Sequence, residues 1–369
     1  EAAERPEFLA AITLEPYGDF ETSVIHARIE ILTMLYVNQL ASFSPEGPQA
    51  YIATHENLMG GRHQFTLGRR ILDWSAMEKG MNFLLSSWSP RFGWDPYNPT
   101  QVGLTGLFYT YKYDKFRLIA HATPFGIPER GAPTGSPWVT PNPESVEAMG
   151  RQVPLRYDLS RIDYVSLIFR PGAALSLQYG DETGPWARGN YGIMPSHMVN
   201  AGVNAKLDPI SDEIQASIFA RGLHDQLLTF EAGWNESLWS TWISANHVAP
   251  VFVPKAPPSH VMSPVGNGTI IAVGGELRLK EGVSFQTGLA GTWEVRPPPE
   301  SKDVAIDMGG RYGYSTLYHL RAKYRTESSR FTYGGAWVFD IGQLSQMFSV
   351  DAGVILGTRR PGSVDGPFN

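Results

Sequence analysis

The sequence predicts an all-β chain that closes into a transmembrane, antiparallel, up-and-down β-barrel of about 16 strands, with 18 as the alternative. Three observations predict this fold. Apolar and polar residues alternate with a period of two over segments about twice as long as the ~5 to 6 residues of an ordinary strand. Aromatic residues make up 12% of the chain beside 38 glycines, a composition typical of large sheets and membrane interfaces. No stretch offers the roughly 20 unbroken apolar residues that a transmembrane helix needs.

Composition narrows the class of protein further. The 369 residues include 30 Lys plus Arg and 36 Asp plus Glu, a net charge of −6, and charged residues reach only 18% where about 25% is usual. Mean hydropathy is −0.20, which a barrel permits because its apolar residues occupy only every second position. The absence of cysteine excludes disulfides, thiolate metal sites and cysteine nucleophiles. The acidic balance and a pI near 5.9 argue against nucleic acid as a partner.

The clearest alternation lies between residues 269 and 296. From 269 to 280 the apolar face carries Thr269, Ile271, Val273, Gly275, Leu277 and Leu279. A tight turn at Glu281-Gly282 follows, and the pattern resumes with Val283, Phe285, Thr287, Leu289, Gly291, Trp293 and Val295 on the apolar face. One face of each strand is therefore predicted to meet lipid and the other to line the interior.

The remaining strands and the domain boundaries follow from the same pattern. Three further clear strands are predicted at 312–325, 330–341 and 348–357. Less regular ones are predicted at 20–32, 50–57, 63–73, 102–113, 116–123, 162–170, 175–181, 198–208, 213–223, 227–235 and 238–247, with two more candidates at 35–43 and 81–88. Residues 1–18 are expected to form an N-terminal periplasmic segment or plug, 19–358 the transmembrane barrel and 359–369 a C-terminal tail.

The connections are predicted to divide by length between the two ends of the barrel. Short turns are expected on one side near Pro171, Pro209, Glu236, Glu281 and Glu327. Longer, proline-rich connections are expected on the other side at 126–161, 182–197, 249–267 and 297–310. Short periplasmic turns and long outer loops are typical of outer-membrane barrels.

At this point the chain resembles bacterial outer-membrane β-barrel channels of the porin and alginate-export type. The resemblance rests on the alternating strands, on the segment GRRILDW at Gly68–Trp74, and on aromatic residues near strand ends: Trp234, Trp242, Trp293, Tyr312, Tyr324, Phe331 and Phe348. It implies an outer-membrane location in contact with the lipid bilayer and lipopolysaccharide, and diffusion or export of polar solutes. Such barrels usually finish on an aromatic residue, whereas here Arg359–Asn369 follows the last predicted strand, which leaves FSVDAGVIL as the assembly signal.

Charged residues on the predicted inner face are the candidate selectivity residues. They are Arg278, Arg296, Arg321 and Lys323 with Glu276 and Glu294 among them, and, farther back, Arg117, Arg170 and Arg221. Rings of Arg and Lys favour anions, so the sequence suggests a lumen that attracts anionic solutes. The alternative is that these charges only keep a channel wall wet.

The long connection at 126–161 is the candidate constriction loop, because an unstructured connection of this length is usually functional or mobile. Its charged residues include Glu129, Arg130, Glu144, Glu147, Arg151 and Arg156. Folded into the lumen it would narrow the channel; the alternative is an external flap. A second candidate is WSPRFGWDPYNP at Trp88–Pro99, whose rings could stack on sugars, with an ordinary packed loop as the alternative.

The predicted function is therefore passive passage of small polar solutes, with anions as a candidate class. Metalloprotease, nucleophile-elbow and phosphate-loop motifs are absent from the sequence, so we expect neither an enzyme nor a metal or other cofactor. Two alternatives stay open: a dedicated exporter of an acidic polysaccharide, and a closed-lumen barrel that is a structural partner in an envelope complex. A homo-oligomer and a periplasmic partner are also left open.

Overall fold

The computed structural model describes residues 11–36, 43–55, 58–80, 88–92, 100–128, 145–148, 151–158, 163–180, 183–208, 211–252, 261–262, 266–280, 283–294, 301–312, 316–325, 330–345 and 348–357, with side chains described as far as residue 291 apart from a few positions. The strands are β1 Ala11–Glu21, β2 Ile25–Tyr36, β3 Phe43–Thr54, β4 His63–Arg70, β5 Arg91–Phe92, β6 Thr100–Gln101, β7 Leu104–Tyr113, β8 Phe116–Thr123, β9 Ser145–Ala148, β10 Arg151–Asp158, β11 Gly172–Gly180, β12 Gly184–Asp208, β13 Glu213–Asn235, β14 Trp239–Phe252, β15 Val261–Met262, β16 Gly268–Lys280, β17 Val283–Glu294, β18 Ser301–Tyr312, β19 Thr316–Arg325, β20 Arg330–Ser345 and β21 Phe348–Gly357. Two short helices, α1 Ala76–Gly80 and α2 Tyr164–Ile168, and a 3-10 turn at Leu58–Gly61 complete the elements.

The long strands pair in sequence order and form a closed antiparallel ring. The order is β1, β2, β3, β4, β7, β8, β11, β12, β13, β14, β16, β17, β18, β19, β20 and β21. The last strand then pairs with the first, from Ile12 opposite Ala352 to Pro16 opposite Phe348. Within the described part of the chain this ring has 16 strands, the number that the sequence predicted, so the all-β barrel is confirmed.

The two faces of the barrel wall differ as the alternation predicted. On the outer face Leu67 is 66% exposed and Phe230 62%. On the inner face of the same strands Thr66 is 2% exposed and Thr229 0%. An exposed apolar surface this continuous marks a site of contact with lipid or protein. No helix among the described residues is long and apolar enough to cross a membrane.

The connections divide by length between two ends, although not as predicted. At the turn end β1 is followed by β2, β3 by β4, β7 by β8, β11 by β12, β13 by β14, β16 by β17, β18 by β19 and β20 by β21, each after a few residues. The loop end carries the other connections, of which 71–103 and 124–171 are the longest, together with the start of β1 and the end of β21.

The predicted side of several turns was therefore wrong. The strand ends next to Glu236 and Glu281 lie at the turn end, but those next to Pro171, Pro209 and Glu327 lie at the loop end. The error has a physical cause, because residues 297–310 were taken for a loop whereas they contain most of β18, and the single strand β13 was predicted as two strands at 213–223 and 227–235. A strand that is missed or counted twice reverses the end assigned to every turn beyond it in the count. Residues 182–197, also predicted as a connection, contain the first part of β12.

The predicted N-terminal boundary also needs correction. Residues 11–18 belong to β1 rather than to a periplasmic segment or plug, and they pair with β2 and β21. Their apolar alternation is interrupted by Pro16 and Gly18, which hides the strand from a reading of pattern alone. Residues 1–10 and the predicted tail at 359–369 lie outside the described residues.

Candidate solute-binding chamber

A segment from the 71–103 connection enters the barrel from the loop end and packs on the inner wall. Trp74 and Trp88 stack on each other with ring centroids 5.2 Å apart and planes 9° apart, and each is 1% exposed. The Nε1 of Trp88 donates to Oγ1 of Thr229 on β13 over 2.6 Å. Residues 71–80 and 88–92, which we call the inserted segment, therefore form the core of the barrel interior together with Phe108, Ile119 and Leu227.

Glu231 on β13 anchors the tip of the inserted segment. Its carboxylate accepts hydrogen bonds from Oγ of Ser75 at 2.6 Å and from the backbone nitrogen of Ala76 at 3.0 Å, at the start of α1. On the wall it accepts from Oγ of Ser244 at 2.8 Å and forms an ion pair with Arg188. Because the carboxylate is fully buried, water cannot solvate its charge, and these hydrogen-bond donors do so instead.

Arg188 holds the opposite side of the same tip. Its Nη1 donates to the backbone oxygen of Asp73 over 2.6 Å, while its Nε donates to Glu231 over 2.9 Å. Asn190, the next inward residue of β12, donates to the backbone oxygen of Trp74. The inserted segment is thus tied to β12 and β13 by charge-assisted bonds, which are stronger than neutral ones.

Beyond the inserted segment the interior widens into a chamber that opens at the turn end. Its volume is about 1010 Å³, and Asp73, Ser75, Ala76 and Lys79 of the inserted segment form one side of it. The walls come from the inner faces of β7, β8, β11 to β14 and β16, including Arg117, Gln178, Trp186, Ser240 and Trp242. The size is at the upper end of the roughly 300 to 1,000 Å³ typical of small-molecule sites.

Three of the predicted lumen residues line this chamber. They are Arg117, Glu276 and Arg278. Arg278 donates through Nη2 to Glu276 over 2.9 Å, and this pair is partly exposed. Lys79 pairs in the same way with Asp73 at 3.3 Å. The chamber therefore holds positive and negative groups side by side rather than an uncompensated ring of arginines.

Two other predicted lumen arginines are not available to a solute. Arg170 is 5% exposed and donates to the backbone oxygens of Leu167, Ser196 and Leu223 at the loop end. Burial lowers the pKa of its guanidinium, and the negative charge of Asp225 opposes that shift. Arg221 is 8% exposed and lies on β13 beyond the last residue paired with β14. These two residues pack the loop end and do not face the chamber.

The described strands of the predicted constriction loop belong to the barrel wall at the loop end rather than to the lumen. They are β9 and β10, and β10 pairs in parallel with Ile214–Ser217 of β13, where β14 no longer covers the edge. Arg151 forms an exposed ion pair with Asp212, and Arg156 is exposed. The side chain of Glu147 is not described, and Glu129, Arg130 and Glu144 lie outside the described residues. The free edge of β13 explains this placement, because an unpaired edge recruits a further strand.

The other predicted residues have these positions. Trp88 of the sugar-stacking candidate is buried against Trp74, so it cannot meet a solute, and residues 93–99 of that motif lie outside the described residues. Glu294 is on β17, and Arg321 and Lys323 are on β19, with side chains that are not described. Arg296 lies outside the described residues.

The alternation of apolar and polar residues did not identify the two residues that anchor the inserted segment. They are Glu231 and Arg188, on neighbouring strands at paired positions. The available signal was the acidic residue in LLTFEAGW, an inward position of a strongly alternating strand. A charge there needs a partner on the next strand.

A closed antiparallel ring with an apolar outer face and a polar, partly filled interior defines a β-barrel of the outer-membrane type. No protein-family model matches the chain, and no curated protein matches it. Solved structures similar to it include OmpT of Vibrio cholerae, with 9% identity, 95% of this chain and 97% of that chain covered, and a TM-score of 0.44. Others are OmpF of Salmonella typhi in complex with daunomycin (8%, 95% and 96%, 0.45) and a mutant of the Rh. blastica porin (8%, 95% and 98%, 0.41). The likeness concerns the fold, and no specific family is identified.

Proposed function

We propose that the protein is an outer-membrane channel for passive passage of small polar solutes, with the inserted segment as its constriction. The chamber carries this proposal, because it is polar, is open at one end and continues to the inserted segment inside a wall whose outer face is apolar. In this arrangement the lipid bilayer and lipopolysaccharide surround the barrel, and no chemical reaction is assigned to it. A homo-oligomer is part of the same proposal, with no interface assigned.

We further propose that the channel prefers anions to cations. Some of the chamber charges are paired, as in Arg278 with Glu276 and Lys79 with Asp73, so these residues supply little net field. A preference for anions therefore depends on the wall that contains β17 to β19, where Glu294, Arg321 and Lys323 are placed. Rings of such cations favour anions in pores.

Conductance in planar lipid bilayers tests the proposal. We expect discrete current steps from purified, folded protein, and a reversal potential in a salt gradient whose sign reports the preferred ion. Replacement of Arg321 and Lys323 by Gln should move the reversal potential toward zero if these residues supply the field.

The closed-lumen alternative is favoured by one observation, the dense hydrogen bonding of the inserted segment to Glu231. If that segment seals the interior, folded protein will pass no current. Heat-dependent gel migration shows whether the protein is folded. If folded protein passes no current, the channel is refuted and the structural barrel is supported.

A further inference from the structure

Tryptophan and glycine alternate across four neighbouring strands at one depth of the chamber. Trp186 on β12 is opposite Gly233 on β13, which is opposite Trp242 on β14, which in turn is opposite Gly274 on β16. Residues that are directly opposite in a sheet share a face. All four therefore face the interior, and both indoles line the chamber.

The glycines let the indoles lie against the wall. A Cβ on Gly233 would lie 2.6 Å from Cζ2 of Trp186, and one on Gly274 would collide with the same atom of Trp242. Each ring therefore covers the backbone of the next strand instead of pointing across the lumen. We call the two rings with their glycines the indole shelf. Its tryptophans are only partly exposed, because one side of each ring is against the wall.

The two rings differ in how much of their surface is open. The guanidinium of Arg188 lies 5.6 Å from the ring centroid of Trp186, a cation–π distance. The structure shows no such cation over Trp242 within the described residues. Trp242 is therefore the principal stacking surface and Trp186 the second one.

The surroundings of the indole shelf are rich in hydrogen-bonding groups. They are Gln178, Thr183, Asn235, Ser237 and Ser240. An apolar platform with a few convergent polar groups is the general form of a small-molecule site. A ligand that suits this wall has one flat, weakly polar face and a rim of hydroxyl groups. Pyranose rings have that form, since their axial C–H groups meet an aromatic face while their hydroxyls point outward.

The spacing and the charge of the wall narrow the class of ligand. Trp186 and Trp242 are two strands apart, about 10 Å at the usual strand separation, a distance comparable to the length of a disaccharide. The ion pairs Lys79–Asp73 and Arg278–Glu276 leave no uncompensated charge at those positions. The indoles, their glycines and the hydrogen-bonding residues around them carry no charge, so a neutral ligand fits this part of the wall better than an acidic one.

We propose that the indole shelf binds neutral oligosaccharides of two or more pyranose units, with Trp242 and Trp186 stacking on successive rings. This proposal rests on the channel proposed above and names the class of solute for its chamber. The contact is a binding step, and no bond of the sugar is made or broken.

The test is isothermal titration of the full chain, folded in detergent, with cellotriose and maltotriose as two neutral probes. Sorbitol is the control ligand, because it has the hydroxyls but no ring face. We expect at least one trisaccharide to bind, Trp242→Ala to weaken it about tenfold and Trp242→Phe to weaken it less. Trp239→Ala is the matched control variant, since Trp239 is on the same strand but on the outer face.

The outcomes separate this proposal from the channel itself. Absence of binding by both trisaccharides to folded protein, binding of sorbitol equal to theirs, or equal losses in Trp239→Ala and Trp242→Ala would each overturn the indole shelf as a saccharide site. Because titration needs no current, a protein that binds sugar but does not conduct would refute only the channel. A protein that conducts but binds neither sugar would refute only the saccharide site.

Discussion

The inner faces of β13 and β14 are buried core at one depth and open chamber wall at the next. Thr229, Glu231 and Ser244 are almost completely buried because the inserted segment covers them. One or two inward positions farther toward the turn end, Ser240 and Trp242 line the chamber. The same alternation therefore produces either a packed interior or a solute-accessible surface. The difference lies only in whether another part of the chain reaches that depth.

The largest expected effect comes from removing the anchor of the covered region. Glu231→Ala leaves Arg188 buried without its ion-pair partner and removes the acceptor for Ser75 and Ala76. Breaking a buried pair on one side costs about 3 to 5 kcal/mol, so we expect a loss of that size in the free energy of unfolding. Urea titration of protein folded in micelles measures it.

The same variant also tests the inserted segment as the constriction. If the tip is released from β13, conductance should rise relative to the parent protein. Glu276→Gln is the matched control, because its pair with Arg278 is partly exposed, and it should change stability little. An unchanged current in folded Glu231→Ala would show that the inserted segment does not limit passage.

A smaller effect is expected at Thr229. Thr229→Val keeps the shape of the side chain but removes the acceptor for Nε1 of Trp88. A buried donor without a partner costs about 1 to 3 kcal/mol, and we expect a loss of unfolding free energy in that range. A neutral result in the same titration would mean that the indole finds another acceptor, contrary to the packing described above.

The smallest effect is expected outside the covered region, at the ion pair between Arg151 and Asp212. Both side chains are more than half exposed, at 54% and 57%. Exposed pairs contribute at most about 1 kcal/mol, so Arg151→Ala should leave the unfolding midpoint and the conductance nearly unchanged. A large change in current would instead support the sequence prediction that the 126–161 connection forms the constriction.

The barrel could be predicted from sequence because the alternation within each strand shows which side chains face outward and which face inward. In β16 the outward residues Ile271, Val273 and Leu277 are each 44–50% exposed, whereas the inward Ile270 and Ala272 are buried. Where proline or charge interrupts the pattern, the prediction failed. Much of β12 was taken for a loop because of Pro185 and Pro195, and β18, which contains Lys302 and Asp303, was missed.

The interior could not be predicted in the same way. Alternation states which side chains point inward but not what they meet there. The contact between Ser75 and Glu231 joins residues 156 positions apart, and no local pattern encodes such a separation. The assignment of the constriction to residues 126–161 relied on loop length alone, whereas stacking of Trp74 on Trp88 and hydrogen bonds to Glu231 place the shorter connection inside.

In this barrel one face of each strand meets hydrocarbon and the other meets water. Because the chain has no cysteine, single cysteines can carry a spin label at Ile243, on the outer face, and at Ser240, in the chamber. In lipid vesicles we expect molecular oxygen to relax the label at position 243 more strongly, and a water-soluble nickel chelate to relax the label at position 240. Equal access of the nickel chelate to both labels in folded protein would mean that position 243 does not face hydrocarbon.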